Sequence, residues 1–163
     1  MRLRRPLLIL LLAVAALAAV VPGASAGAAQ SSRSARAFTS ALVSAINGAR
    51  AANGLPPLQV DARLATAARG QSAYLASAGT LDHSGPDGSS VFTRLTRQGY
   101  HGHVVGENLA AGMGPAATVQ AWLASPGHRM NLLEPQFHLL GVGVAMGSLG
   151  GMSAPFVTAD FGS

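Results

Sequence analysis

Ala121-Trp122-Leu123-Ala124-Ser125-Pro126-Gly127-His128-Arg129-Met130-Asn131 holds the only tryptophan of the chain, a helix-breaking Ser-Pro-Gly step and a histidine beside an arginine. Serine favours the N-cap and proline the first helical position, so the spacing predicts a new short helix opening at Ser125-Pro126. His128 then lies at a positive helix end, where the dipole disfavours imidazolium and keeps the ring neutral. A neutral imidazole is what a metal site or an acid/base role requires. Taken alone, the residue is more simply explained as a hydrogen-bonding group across a helix junction. Trp122 and Leu123 would hold the segment against the core.

Upstream, Val105-Gly106-Glu107-Asn108-Leu109 sets a glutamate in an apolar stretch. A buried carboxylate must be paired, hydrogen-bonded or metal-bound. The plain structural alternative is a Glu107 to Arg129 ion pair, with Asn108 tying down backbone groups. His83 follows a predicted helix C-terminus, in the turn-rich stretch Asp82 to Gly88. Arg129 and Asn131 are expected to brace the helix after His128. His101 and His103 share a face if their backbone is extended, as a separate adventitious metal pair or a cleft rim, although a solvated loop is simpler. His138, between Phe137 and Leu139, reads as a partly buried residue satisfied by backbone.

Around these residues the apolar periodicity predicts helices. Phe38, Leu42, Val43 and Ile46 lead to a left-handed stop at Asn53-Gly54. Asp61 is a natural N-cap for a second helix carrying Leu64, Ala67, Ala68 and Leu75, ended by Gly79. A third carries Val91, Phe92 and Leu95 and stops at Gly99, and Pro115 opens a fourth through Val119 to Leu123. Extended segments are expected from Val104-Val105, from Leu139 to Met146 and from Pro155 to Phe161. Helices first and strands last make an α+β pattern in one domain, with no internal repeat.

The ends and the composition bound the functional class. Met1 to Arg5 is cationic, Leu7 to Val21 is apolar, and Ala24-Ser25-Ala26 is a cleavage pattern, so residues 1–26 read as a secretory signal peptide. The run is short for a transmembrane helix of about 20 residues, and no later span is expected, so no transmembrane anchor survives cleavage. Residues 27–37, rich in Ser, Ala and Gly, read as a flexible linker, and 38–163 as the folded domain. Without the leader, eight arginines face six carboxylates, a net charge of +2. Such a balance argues against nucleic acid as partner and leaves only a weak case for an anionic cell wall. There is no cysteine, which excludes disulfides and thiolate chemistry.

In order, Asn47-Gly-Ala-Arg50, Gly54-Leu-Pro-Pro-Leu58 with Asp61 and Leu64, His83-Ser-Gly-Pro-Asp-Gly88, Gly106-Glu-Asn108, Ser125-Pro-Gly-His-Arg129 with Asn131, Gly141-Val-Gly143 and Phe161-Gly162 span most of the chain. Their succession resembles the CAP superfamily (cysteine-rich secretory protein, antigen 5, pathogenesis-related-1; the SCP domain), and in particular its short cysteine-free bacterial branch. The resemblance implies a three-layer α-β-α sandwich with a central, mainly antiparallel sheet. It also implies a polar cleft, to which His83, Glu107 and His128 carry over, with Asn108, Ser125 and Arg129 supporting it. A second acid that many relatives place three residues after the tryptophan falls here on Ser125, which weakens any mechanism built on two carboxylates.

Two imidazoles and one carboxylate suit a divalent cation, Zn²⁺ above all, with Glu107 either as ligand or as the group that orients an imidazole. The expectation is therefore a secreted protein that binds a cation in this cleft and an unidentified extracellular ligand or partner. A metal-assisted hydrolase with Glu107 as candidate catalytic residue is the first alternative. A lipid or sterol carrier is the second, although the scarcity of aromatic residues gives no sign of a large apolar groove.

Overall fold

The computed structural model describes residues 23–163. The expected leader therefore lies outside the described residues, except for its last four positions. Helix α1 runs Gly23–Ala52, and it corrects the expected linker, because residues 27–37 are continuous with it. The reason is local: no glycine or proline occurs between Gly27 and Gly48, and alanine, the best helix former, dominates the first half. That half is largely exposed, and burial begins as Leu42 and Ile46 reach the core.

Four further helices and four strands follow: β1 Gln59–Val60, α2 Ala62–Ala78, α3 Val91–Arg97, β2 Val105–Ala111, α4 Pro115–Ala124, α5 Pro126–Leu132, β3 Leu139–Leu149 and β4 Met152–Gly162. Asp61 caps α2 by accepting from the amides of Arg63 (2.9 Å) and Leu64 (3.2 Å). Gly79 ends the helix at φ 66°. The sheet order is β1-β3-β4-β2. β3–β4 and β2–β4 are antiparallel, and only the two-residue β1, too short to be legible in the sequence, pairs in parallel with β3.

Side chains alternate across this sheet, so each face collects its own layer. Ala110, Val142, Val157, Ala159 and Phe161 pack with Leu42, Ile46, Val119, Trp122 and Leu132 of α1, α4 and α5. On the other face Leu109 and Phe156 meet Leu75 of α2, while Leu64 meets Leu95 and Tyr100. The result is the expected α-β-α sandwich. α2 lies so close on β3 that a Cβ at Gly141 or Gly143 would fall on the α2 backbone at Leu64 or Ala68.

Arg50 staples the first layer together. Its buried guanidinium donates from Nε to the carbonyl of Pro56 (3.0 Å), from Nη1 to Leu132 (3.1 Å) and Glu134 (3.0 Å), and from Nη2 to Phe137 (3.2 Å). Asn47 holds both backbone groups of Leu58, donating from Nδ2 to its carbonyl (3.1 Å) and accepting at Oδ1 from its amide (2.9 Å). These two members of the Asn47–Arg50 motif thus fix the chain entering β1 and the chain entering β3. Among the described residues, no helix is long and apolar enough to cross a membrane.

Candidate functional site

β2 is an edge strand, and its outer side is closed by side chains rather than by another strand. Asn131 Nδ2 donates to the carbonyl of Glu107 (3.1 Å) and Trp122 Nε1 to that of Leu109 (2.9 Å). The 121–131 stretch therefore caps an open sheet edge, which would otherwise offer unpaired backbone groups. Asn108 Nδ2 reaches the His128 carbonyl (2.9 Å), and its Oδ1 accepts from Asn131 (3.0 Å). Asn131 is the expected brace. Arg129 is not, since its side chain makes no hydrogen bond or ion pair among the described residues. Ser125 occupies the N-cap position before Pro126, yet its side chain accepts no capping bond.

Glu107 projects to the opposite face from Asn108 and is 5% exposed. Its Oε1 lies 2.8 Å from His83 Nδ1, and its Oε2 accepts from Arg94 Nη2. The cation beside it is thus Arg94 of α3, not the Arg129 of the structural alternative, because α5 sits on the far face of the sheet. Arg94 is itself buried and donates through Nη1 to the carbonyls of His83 (3.0 Å) and Ser89 (2.7 Å).

His83 lies in irregular chain, but that chain is held at three successive carbonyls. Gln71 Nε2 binds those of Asp82 (2.8 Å) and Ser84 (3.1 Å), and Arg94 takes the one between. Asp82 Oδ1 closes a local turn by accepting from the Ser84 amide (2.8 Å). The ring is thereby presented outward, with 63% of the side chain exposed. If Nδ1 carries the proton donated to Glu107, Nε2 is left as a lone-pair donor towards solvent.

His128 approaches from the other layer, its ring 6.5 Å from that of Trp122 and inclined at 43°. Burial lowers its pKa, and a charge on His83 lowers it further. The direction agrees with the sequence argument for the neutral ring, and its first cause is desolvation. The two imidazoles thus come to the β2 edge from opposite sides of the sheet. Among the described residues, no three His, Asp or Glu groups are arranged as a metal cluster.

His101 and His103 sit in the loop before β2 and take no part in these contacts. His138 is exposed rather than partly buried; its backbone, not its ring, is bonded, to Gly162 and Gln59 (2.9 and 2.8 Å). Two members of the site escape sequence reasoning, Arg94 and Asp160. Arg94 lies on the Val91–Leu95 face of α3, and Asp160 interrupts the apolar run of β4; a charge inside an apolar pattern is the signal each leaves. A separate groove of about 600 Å³ lies between α1, α2 and the β3 edge, lined by Val43, Val60, Val142 and Val144 with Arg36 and Arg69. The scarcity of aromatic residues gave no sign of it, because its apolar lining is mostly valine.

Residues 43–161 match the family described as CAP, the cysteine-rich secretory protein family. The chain is a member of that family. The uncharacterized protein YkwD of Bacillus subtilis (strain 168) is 37% identical over 115 residues, which cover 69% of this chain and 45% of that one. An extracellular protein containing a SCP domain from Bacillus anthracis is 32% identical, with a TM-score of 0.59, covering 72% of this chain and 37% of that one. An outer surface protein of Borrelia burgdorferi gives a TM-score of 0.65 at 25% identity, covering 77% and 92%. This CAP domain therefore spans less than half the length of the two Bacillus relatives.

Proposed function

We propose that this CAP protein acts outside the cell as a binding module, and that His83 and His128 hold a weakly bound, exchangeable divalent cation, Zn²⁺ by preference. The observation that carries this reading is the 2.8 Å contact of His83 Nδ1 with Glu107 Oε1. A carboxylate on one imidazole nitrogen fixes the tautomer and turns the other nitrogen towards a metal. Both Glu107 oxygens already have partners, so Glu107 serves as the orienting group rather than as a ligand. Two imidazoles and water would complete the coordination, consistent with modest affinity. The extracellular setting rests on the leader and on the relative described as extracellular.

Calorimetric titration with Zn²⁺ near neutral pH tests the metal reading. Binding is expected in the parent protein and should be lost in His83→Ala/His128→Ala. Equal binding in both would reject it. A metal-assisted hydrolase would use the same cation, and turnover of a peptide, ester or cell-wall substrate that vanishes in Glu107→Gln would favour it. The groove of about 600 Å³ supports a lipid-carrier reading, because its valines suit an acyl chain and Arg36 and Arg69 an anionic head. Saturable retention of a labelled fatty acid, weakened by Val142→Asp, tests that reading.

A further inference from the structure

Asp160 stands directly opposite Glu107 across the β2–β4 pair and is fully buried. Among the described residues neither of its carboxyl oxygens has a hydrogen-bond partner. An ionised carboxylate can only accept, and one buried without any donor is strongly disfavoured. A neutral carboxyl is different, because it brings its own O–H. Residues facing each other on one side of an antiparallel pair are close neighbours, so the acceptor that Asp160 faces is the carboxylate of Glu107. Of the two acids, Glu107 is the one to ionise: Arg94 and His83 both address its oxygens, while Asp160 receives nothing.

We propose that Asp160 is held as a carboxylic acid that donates its proton to Glu107, and so completes the buried network that orients His83. The forces on it run the same way. Burial first, then the Glu107 carboxylate, raise the Asp160 pKa well above the ordinary range, and Arg94 only partly opposes them. The pair therefore carries one negative charge, not two, and Arg94 balances it. Asp160 is a positioning residue: it acts on His83 through Glu107.

The test needs no metal, so it stands or falls independently of the cation reading. In protein labelled at aspartate carboxyl carbons, Asp61, Asp82 and Asp87, all held below the usual carboxylate range, supply ionised signals. At about pH 6, roughly two units above an ordinary aspartate pKa, one further signal should remain protonated and be absent from Asp160→Asn. Four ionised aspartates at that pH would overturn the proposal. Should the variant not fold, the carboxyl spectrum of the parent protein decides alone.

Discussion

Asp160→Asn should make the protein less sensitive to rising pH, and the size of the effect follows from linkage. In the folded chain Asp160 keeps its proton well above the ordinary carboxylate range, whereas in the unfolded chain it loses it near pH 4. Above that point the folded state binds more protons than the unfolded state, so stability must fall as pH rises. A group with a raised folded pKa contributes stability in full below its unfolded pKa, and that contribution drains away towards the folded pKa. For a difference of one proton the slope is about 1.4 kcal/mol per pH unit. The asparagine does not titrate, so the variant's stability minus the parent's should climb by up to about that amount per unit above pH 4. Other groups cancel in the difference, provided they titrate alike in both proteins. Urea unfolding of both proteins at successive pH values, with the slope m checked for constancy, reads this directly. Parallel stability curves would refute the reasoning, because they would mean that Asp160 ionises in the folded state as it does in the unfolded one.

Other perturbations probe the frame that carries the site. Gly143→Ala should destabilise by about 3 kcal/mol, the upper end of the usual overpacking cost, because the added methyl meets the α2 backbone at Ala68 rather than a movable side chain; thermal unfolding measures it. Arg50→Met strips donors from four carbonyls, at about 1–3 kcal/mol for each one left dry, so a loss on the order of 4 kcal/mol is expected in denaturant unfolding after some water entry. Trp122→Phe removes the donor to Leu109 and should cost about 1–3 kcal/mol, with faster amide exchange along the β2 edge. His128 is held below its ordinary pKa by burial and by His83, so the unfolded chain takes up a proton that the folded chain refuses. Stability should therefore fall as pH drops below about 6.5, and His128→Gln should lose that dependence.

Much of this was legible because the signals are local. Gly54, Gly79 and Gly99 mark element ends by adopting positive φ, and Asp61 and Pro126 mark starts. His83, Glu107, Asn108 and His128 stand out as polar residues at turns or within apolar strands. What was not legible depends on which face a residue shares. Arg129 adjoins His128 in sequence, yet α5 packs across the sheet from Glu107, and the partner proved to be Arg94. The strand-to-strand register that sets Asp160 against Glu107 is a tertiary property, as is the closing of the β2 edge by Trp122 and Asn131. The helical state of residues 27–37 is hidden by the serines, which suggest a tether, while the alanines and the absence of breakers after Gly27 decide the outcome.

In the proposed cation site two imidazoles meet at the β2 edge, one of them oriented by Glu107. The most direct measurement is a Zn²⁺ titration of nitrogen-labelled protein that follows the ring nitrogens of all five histidines. His83 Nε2 and His128 should shift together at one equivalent, while His101, His103 and His138 stay in place. A response confined to His101 and His103, or no response at His83 and His128, would contradict the account.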